Sequence, residues 1–110
     1  MSENKKKHIC YIALSDNILS KSNIKLIKNS SKYGKVVIGL MSDKAISEYK
    51  TAPLLNFNQR KLIAENLKNV YKVVEQTSRD YTENLIKLKP KYVVHKKNFW
   101  HKGLQKRTRE

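Results

Sequence analysis

Apolar runs alternate with amphipathic stretches along the chain. Four runs that are mostly apolar and rich in β-branched residues cover residues 8–14, 35–41, 70–74 and 91–95. Continuous apolar runs of this length are typical of parallel strands that are buried on both faces of a sheet. Gly39, inside the second run, is expected to permit the close approach of another backbone segment. The alternation predicts an α/β fold, a Rossmann-like doubly wound parallel sheet of the nucleotidyltransferase type in a single small domain.

Residues with helix-capping character mark the ends of the amphipathic stretches. The first stretch covers about residues 20–33, and Gly34 follows it as the residue type that most readily takes positive φ behind a helix. Further helices are predicted from Ser42 to Tyr49, from Asn56 with Gln59 as a capping box, and from Asp80 with Glu83 as a second capping box. The helix that Asn56 begins is predicted to carry Leu62, Ile63, Leu67 and Val70 on one face.

The carboxyl ends of the predicted strands define one rim of the sheet. Ligands of open α/β sheets bind outside these strand ends. The rim is predicted to contain residues 14–23, 41–44, 75–79 and 95–100. The polar segment 15–23 links the first strand to the first helix, which is where nucleotide-binding α/β proteins place a loop that contacts phosphates.

The chain is strongly basic. Its 110 residues suffice for one small domain, and 24 Lys and Arg against 9 Asp and Glu give a formal net charge of +15. Such a charge favours polyanionic ligands: nucleotides, nucleic acid or an anionic surface. Lysine greatly outnumbers arginine, and an even spread of lysines is also typical of compositional drift, with lysine occupying solvated faces. We expect drift and solvation to be the main cause.

Other features of the composition indicate a cytoplasmic protein that does not enter the membrane. Cys10 is the only cysteine, so no internal disulfide can form and a reducing compartment is expected. No apolar stretch has the length of a transmembrane helix. Residues 1–7 are expected to be a disordered basic tail, and no cluster of Cys and His suggests a protein-held metal site.

The rim segments carry a family likeness. From Tyr11 onward the chain resembles the cytidylyltransferase-like nucleotidyltransferases, most of all those associated with phosphonate biosynthesis and phosphoenolpyruvate mutase. The resemblance is carried by residues 33–46, 49–50, 53–55, 59–61, 65–67, 72–74, 89–95 and 103–110, in that order and spacing. It implies CTP as a substrate, Mg²⁺ as a cofactor, and a phosphonate or a small phosphorylated alcohol or amine as the acceptor.

The family's signature is His-x-Gly-His at the start of the first helix, where the imidazoles contact the triphosphate. Ser20, Lys21, Ser22 and Asn23 occupy these positions here, so both histidines and the glycine are exchanged. The resemblance implies catalytic roles for Ser20, Lys21 and Asn23, joined by Lys44 and Arg60 as phosphate contacts. It implies nucleotide contacts for Ala13, Leu14, Ser15, Asn17, Ser22, His95 and Trp100.

Two further departures separate the chain from its relatives. A Gly-Asp-Asp-Trp-like stretch follows the fourth strand in relatives, whereas this chain has lysines between His95 and Trp100. Relatives also have a later Ser/Thr-rich motif that holds the β- and γ-phosphates. The chain ends at Glu110, before this motif, so we expect residues 8–110 to be a domain that lacks its C-terminal part.

The prediction for function is a cytidylyltransferase-like domain with an impaired site. If active, it transfers a nucleotidyl group from CTP to the acceptor. One alternative is an inactive regulatory or assembly module, acting as a homodimer or as part of a larger parent enzyme. A basic nucleic-acid-binding protein is a less favoured alternative, because the sequence shows neither a known binding motif nor aromatics interleaved with the basic residues.

Overall fold

The structure of the protein is a computed structural model that describes residues 8–15, 18–48 and 51–94. Within them it contains four strands and four helices in alternation. In chain order they are β1 (Ile9–Leu14), α1 (Lys21–Ser30), β2 (Lys35–Met41), α2 (Asp43–Ser47), α3 (Phe57–Glu65), β3 (Val70–Gln76), α4 (Thr82–Leu88) and β4 (Tyr92–Val94). All four predicted strands are present. The expected tail at 1–7, Asn17, Tyr49, Lys50 and everything from His95 onward lie outside the described residues.

The four strands form one parallel sheet in the order β3-β2-β1-β4. Ile12 in the middle of β1 is paired with Ile38 of β2 on one side and Val94 of β4 on the other. The chain therefore leaves β1 in one direction for β2 and β3, then returns to the opposite side of β1 for β4. This reversal creates a topological switch point between β1 and β4, where open α/β sheets form a ligand crevice.

Helices cover both faces of the sheet, as the doubly wound fold class requires. Alternate residues of each strand point to opposite faces. One core cluster joins strand residues such as Ile12 and Ile38 to Ile27 of α1 and Ala64 of α3. The other cluster joins Tyr11, Ala13 and Val37 to Tyr81, with Leu85 and Leu88 of α4 packed against it. The predicted fold class is confirmed.

Gly34 has a different role from the predicted one. The helix before it ends at Ser30, and Gly34 does not take positive φ. A Cβ atom at this position would lie 2.5 Å from the carbonyl oxygen of His8. The Lys35 N–H donates to that same oxygen at 2.8 Å. Glycine is needed here because the turn into β2 passes close to the start of β1.

Two predictions about helices are wrong, whereas a third is confirmed. Asn56 and Gln59 do form a capping box. Asp80 and Glu83 do not, because the structure begins α4 one residue later than the box requires and Asp80 Oδ1 accepts from the Thr82 N–H instead. Helix α3 does not carry all four residues predicted to share one of its faces, because it ends at Glu65, before Leu67 and Val70, and Leu62 is 63% exposed. The face of α3 that packs on the sheet is set by Ala64 and Arg60.

No described helix is both long enough and apolar enough to cross a membrane.

Candidate functional site

The candidate site lies at the carboxyl end of β1, on one side of the switch point. Ala13 and Leu14, the last residues of β1, are buried, so their side chains belong to the core. Ser15, which follows, is half-buried, and its carbonyl oxygen accepts a hydrogen bond from Arg60. Of the predicted nucleotide contacts, these three therefore form the base of the rim.

The N-terminus of α1 faces this rim. Ser20 is the N-cap, and its Oγ accepts a hydrogen bond from the Asn23 N–H at 3.2 Å. Lys21 and Ser22 are exposed, whereas the Asn23 side chain is buried. The first turn contains no acidic residue. Because a helix N-terminus carries partial positive charge and unsatisfied N–H groups, this turn with its lysine favours an anion.

Arg60 is fully buried directly under the rim. Its Nη1 donates to the carbonyl oxygens of Ser15 and Met41, each at 2.8 Å. Its Nε donates to the carbonyl oxygen of Leu55 at 3.0 Å, and Nη2 donates to Asp43 Oδ1 at 2.7 Å. The guanidinium thus joins the ends of β1 and β2 to the helices that follow β2, which fixes the shape of the rim from below.

Asp43 completes this arrangement. It lies in the predicted rim segment 41–44, beside the N-cap Ser42, but no functional role was predicted for it. One carboxylate oxygen binds Arg60, and the other accepts the Phe57 N–H at 3.2 Å, at the start of α3. Lys44, the next residue, is exposed on α2. Of the predicted catalytic residues, the structure groups Ser20, Lys21 and Asn23 on one turn, while Arg60 lies beneath the strand ends.

Asn17, His95 and Trp100, three of the predicted nucleotide contacts, lie outside the described residues. In the sequence, His95 directly follows β4. Among the described residues, no group of three or more His, Cys, Asp or Glu side chains is arranged to hold a metal ion.

A buried polar network on the opposite face of the sheet was not predicted. Tyr11 Oη donates to Gln76 Oε1 at 2.7 Å and accepts from Asn84 Nδ2 at 2.9 Å. Burial raises the pKa of the Tyr11 phenol well above its ordinary range, although the Asn84 bond opposes this shift. A Cβ atom on Gly39 would overlap Tyr11 Oη. The expectation of a close backbone approach at Gly39 is therefore wrong, because a tyrosine side chain occupies that space.

Comparison with known proteins shows the fold. No family model and no curated protein matches the sequence. A solved structure, that of the lipopolysaccharide core biosynthesis protein from Thermoplasma volcanium GSS1, superposes with a TM-score of 0.80 at 20% sequence identity. The match covers 93% of this chain and 86% of that protein. At this identity the likeness shows a shared small α/β architecture.

Proposed function

We propose that the chain binds a nucleoside triphosphate at the switch point, with the phosphates at the N-terminus of α1. The observation that carries this proposal is the position of that turn at the carboxyl end of β1. It combines a helix N-terminus, the exposed ammonium of Lys21 and a first turn, Lys21 onward, that contains no acidic residue. Biosynthetic chemistry is also suggested by the name of the Thermoplasma protein, which shares the fold.

For the nucleotide we propose CTP, on the strength of the resemblance to cytidylyltransferases. The reaction would be attack of an acceptor phosphate or phosphonate oxygen on the α-phosphorus of CTP, with release of pyrophosphate. Ser20 and Lys21 would contact the phosphates, and Arg60 would act as a positioning residue through Ser15 and Met41. Mg²⁺, bound largely by the phosphates themselves, would neutralise charge.

Turnover is expected to be far slower than in relatives that have the two imidazoles. The loss of one preorganised donor to a developing charge lowers a rate by about 10²–10³-fold. Two such donors are exchanged here for Ser20 and Asn23, and the Asn23 side chain is buried in the first turn of α1. The alternative is a regulatory or assembly module. It would bind the nucleotide at the same site as a transferase but would not catalyse a reaction.

Calorimetric titration of the full chain with CTP and Mg²⁺ tests the binding step. We expect weak binding and a small thermal stabilisation that follows RT ln(1 + [L]/Kd). Lys21→Ala should weaken binding, whereas Lys25→Ala, an equally exposed lysine one turn further along α1, should leave it unchanged. Equal effects of the two variants, or no stabilisation by CTP, would contradict the proposed site.

Pyrophosphate release tests the chemical step separately. The acceptors to supply are glycerol phosphate, ethanolamine phosphate and a short aminoalkyl phosphonate. Slow release that requires an acceptor and is lost in Lys21→Ala supports a transferase. Binding of CTP with no release for any acceptor favours the regulatory alternative.

A further inference from the structure

The positive charge is not evenly spread over the described residues. From Ile18 to Ser42 the chain contains five lysines and no acidic residue. The later part of the described chain mixes both signs, and its ion pairs join Arg60 to Asp43, Lys61 to Glu65 and Lys87 to Glu83. Basic residues are about as frequent in this segment as in described residues 43–48 and 51–94, 5 of 25 against 9 of 50. What distinguishes the segment is that no acidic residue balances its charge.

Four of these lysines form a ridge along α1. Lys21, Lys25, Lys28 and Lys32 are spaced by four, three and four residues, so they share one helix face, and all four are exposed. The opposite face is the buried one. Lys32 continues the line because its N–H donates to the Asn29 carbonyl oxygen in the turn after the helix. This basic ridge spans about 16 Å at 1.5 Å per residue.

The basic ridge works against the stability of its own helix. Like charges one turn apart repel each other, and Lys21 in the first turn opposes the helix dipole. Within the described part of the chain, no ion pair to a carboxylate offsets this repulsion. An anionic ligand with several charges would offset it.

The ridge ends at a pair of aromatic side chains. Tyr33 follows Lys32 and is 56% exposed. Its ring lies 5.6 Å from that of Tyr92, the first residue of β4, at an interplanar angle of 56°. The Lys91 ammonium lies 5.6 Å from the centre of the Tyr92 ring. Tyr92 is half-buried, so Tyr33 presents the more accessible ring. Accessible aromatic rings beside ammonium groups are the elements with which proteins hold unpaired bases and their phosphates.

We propose that the basic ridge and the Tyr33–Tyr92 pair bind single-stranded nucleic acid. The lysines contact successive phosphates, and the tyrosines stack on bases, so binding tolerates different sequences. A duplex offers no unstacked bases to the tyrosines. A groove of about 490 Å³ beside the ridge, with Ile24 and Leu67 in its lining, would suit an acidic protein segment. The aromatic pair at the end of the ridge favours nucleic acid over that partner.

Fluorescence anisotropy with the full chain and a labelled oligothymidylate of about 12 nucleotides tests this proposal. For four phosphate contacts, log K should fall with log salt at a slope of about −0.7 × 4, or roughly −3. Lys28→Gln/Lys32→Gln should lower the magnitude of the slope by about 1.4. Lys72→Gln/Lys87→Gln, which makes the same change of net charge on β3 and α4, should leave it nearly unchanged.

Variants of the aromatic pair separate nucleic acid from other polyanions. Tyr33→Ala should weaken binding by about 5-fold or more, and Tyr33→Phe should retain it, because the ring and not the hydroxyl stacks on a base. Circular dichroism confirms that each variant is folded. The same variants are titrated with an acidic Leu/Glu peptide and with phosphatidylcholine–phosphatidylserine vesicles. The proposal is overturned if both lysine pairs weaken oligothymidylate binding equally, if Tyr33→Ala has no effect, or if the peptide or vesicles bind more tightly.

Discussion

The Arg60 guanidinium is a buried cation whose hydrogen bonds all go to oxygen atoms around one rim. Three of its acceptors are carbonyl oxygens, and the fourth is the half-exposed carboxylate of Asp43. A planar group with several fixed donors can satisfy acceptors that lie in different directions, which a single ammonium cannot do. Arg60 therefore holds the strand ends on which the proposed nucleotide site is built.

Replacement of Arg60 should destabilise the whole domain. We expect Arg60→Met to lower the free energy of unfolding by at least about 3 kcal/mol, because hydrogen bonds to a charged group contribute about 1.5–3 kcal/mol each. Arg60→Lys should recover little of this loss. Urea unfolding followed by circular dichroism measures both. The control is Lys61→Met, whose exposed pair with Glu65 is worth at most about 1 kcal/mol. A fully stable Arg60→Lys variant would contradict this account.

The sequence predicted which residues lie at the rim more successfully than it predicted the role of each residue there. Arg60 stood out as a positive charge near a helix start, but its burial depends on Ser15 and Met41, which are 45 and 19 residues away. A pattern of neighbouring residues in the sequence cannot predict contacts between positions so far apart. Asp43 lies in the predicted rim segment 41–44, but its role was missed for the same reason, because its partners lie on α3.

Among the elements, strands were predicted more accurately than helix ends. β2 covers the predicted residues, and β1 differs by one residue, because a buried parallel strand is a continuous apolar run. Caps depend on the geometry of individual side chains, so Asn56 with Gln59 formed the expected box and Asp80 with Glu83 did not. Gly34 was assigned to a helix end, although the contact that requires glycine is made with His8, the residue before β1.

The hydrogen bonds of Tyr11 link β1 and β3 to α4, and Gly39 of β2 leaves the space that the Tyr11 ring occupies. We expect Gly39→Ala to lower the free energy of unfolding by about 3 kcal/mol, at the upper end of overpacking effects, because the new methyl group overlaps Tyr11 Oη. In a Tyr11→Leu background the same substitution should lower the free energy of unfolding by less, because the Tyr11 hydroxyl no longer occupies the space of the new methyl group. Urea unfolding of the wild type, the two single variants and the double variant gives the coupling energy between positions 39 and 11. Additive effects would show that the methyl group meets some other obstacle.

On the scale of the whole molecule, the alternation of elements predicted the parallel, doubly wound architecture but not the order of the strands. The order β3-β2-β1-β4 places the switch point beside β1, and with it the crevice proposed for the nucleotide. The distribution of the positive charge over the surface likewise became clear only from the structure. The printed sequence contains every lysine, but only the fold shows that one helix carries an unbalanced row that ends at Tyr33 and Tyr92. The two proposed surfaces share Lys21 at the start of α1 and otherwise use different residues.

The stability of the whole domain should fall at alkaline pH through two neighbouring residues of β1. Burial raises the pKa of the Cys10 thiol from 9.0 to about 11, and it raises that of Tyr11 further. Below pH 9 the thiol is protonated in both states and adds no pH dependence. Between pH 9 and 11 the unfolded chain releases this proton while the folded chain retains it. The thiol then lowers the free energy of unfolding by at most about 1.4 kcal/mol per pH unit.

Comparison with Cys10→Ala isolates the contribution of the thiol, since the two proteins differ in no other ionisable group. Urea unfolding from pH 7 to pH 10.5 should give a steeper decline above pH 9 for the wild type than for the variant. Thiolate absorbance of the folded wild type should rise with a midpoint near pH 11. Parallel declines, or a thiolate that forms near pH 9 in the folded protein, would mean that the Cys10 side chain is in contact with water and that the β1 core is open between the sheet and α1.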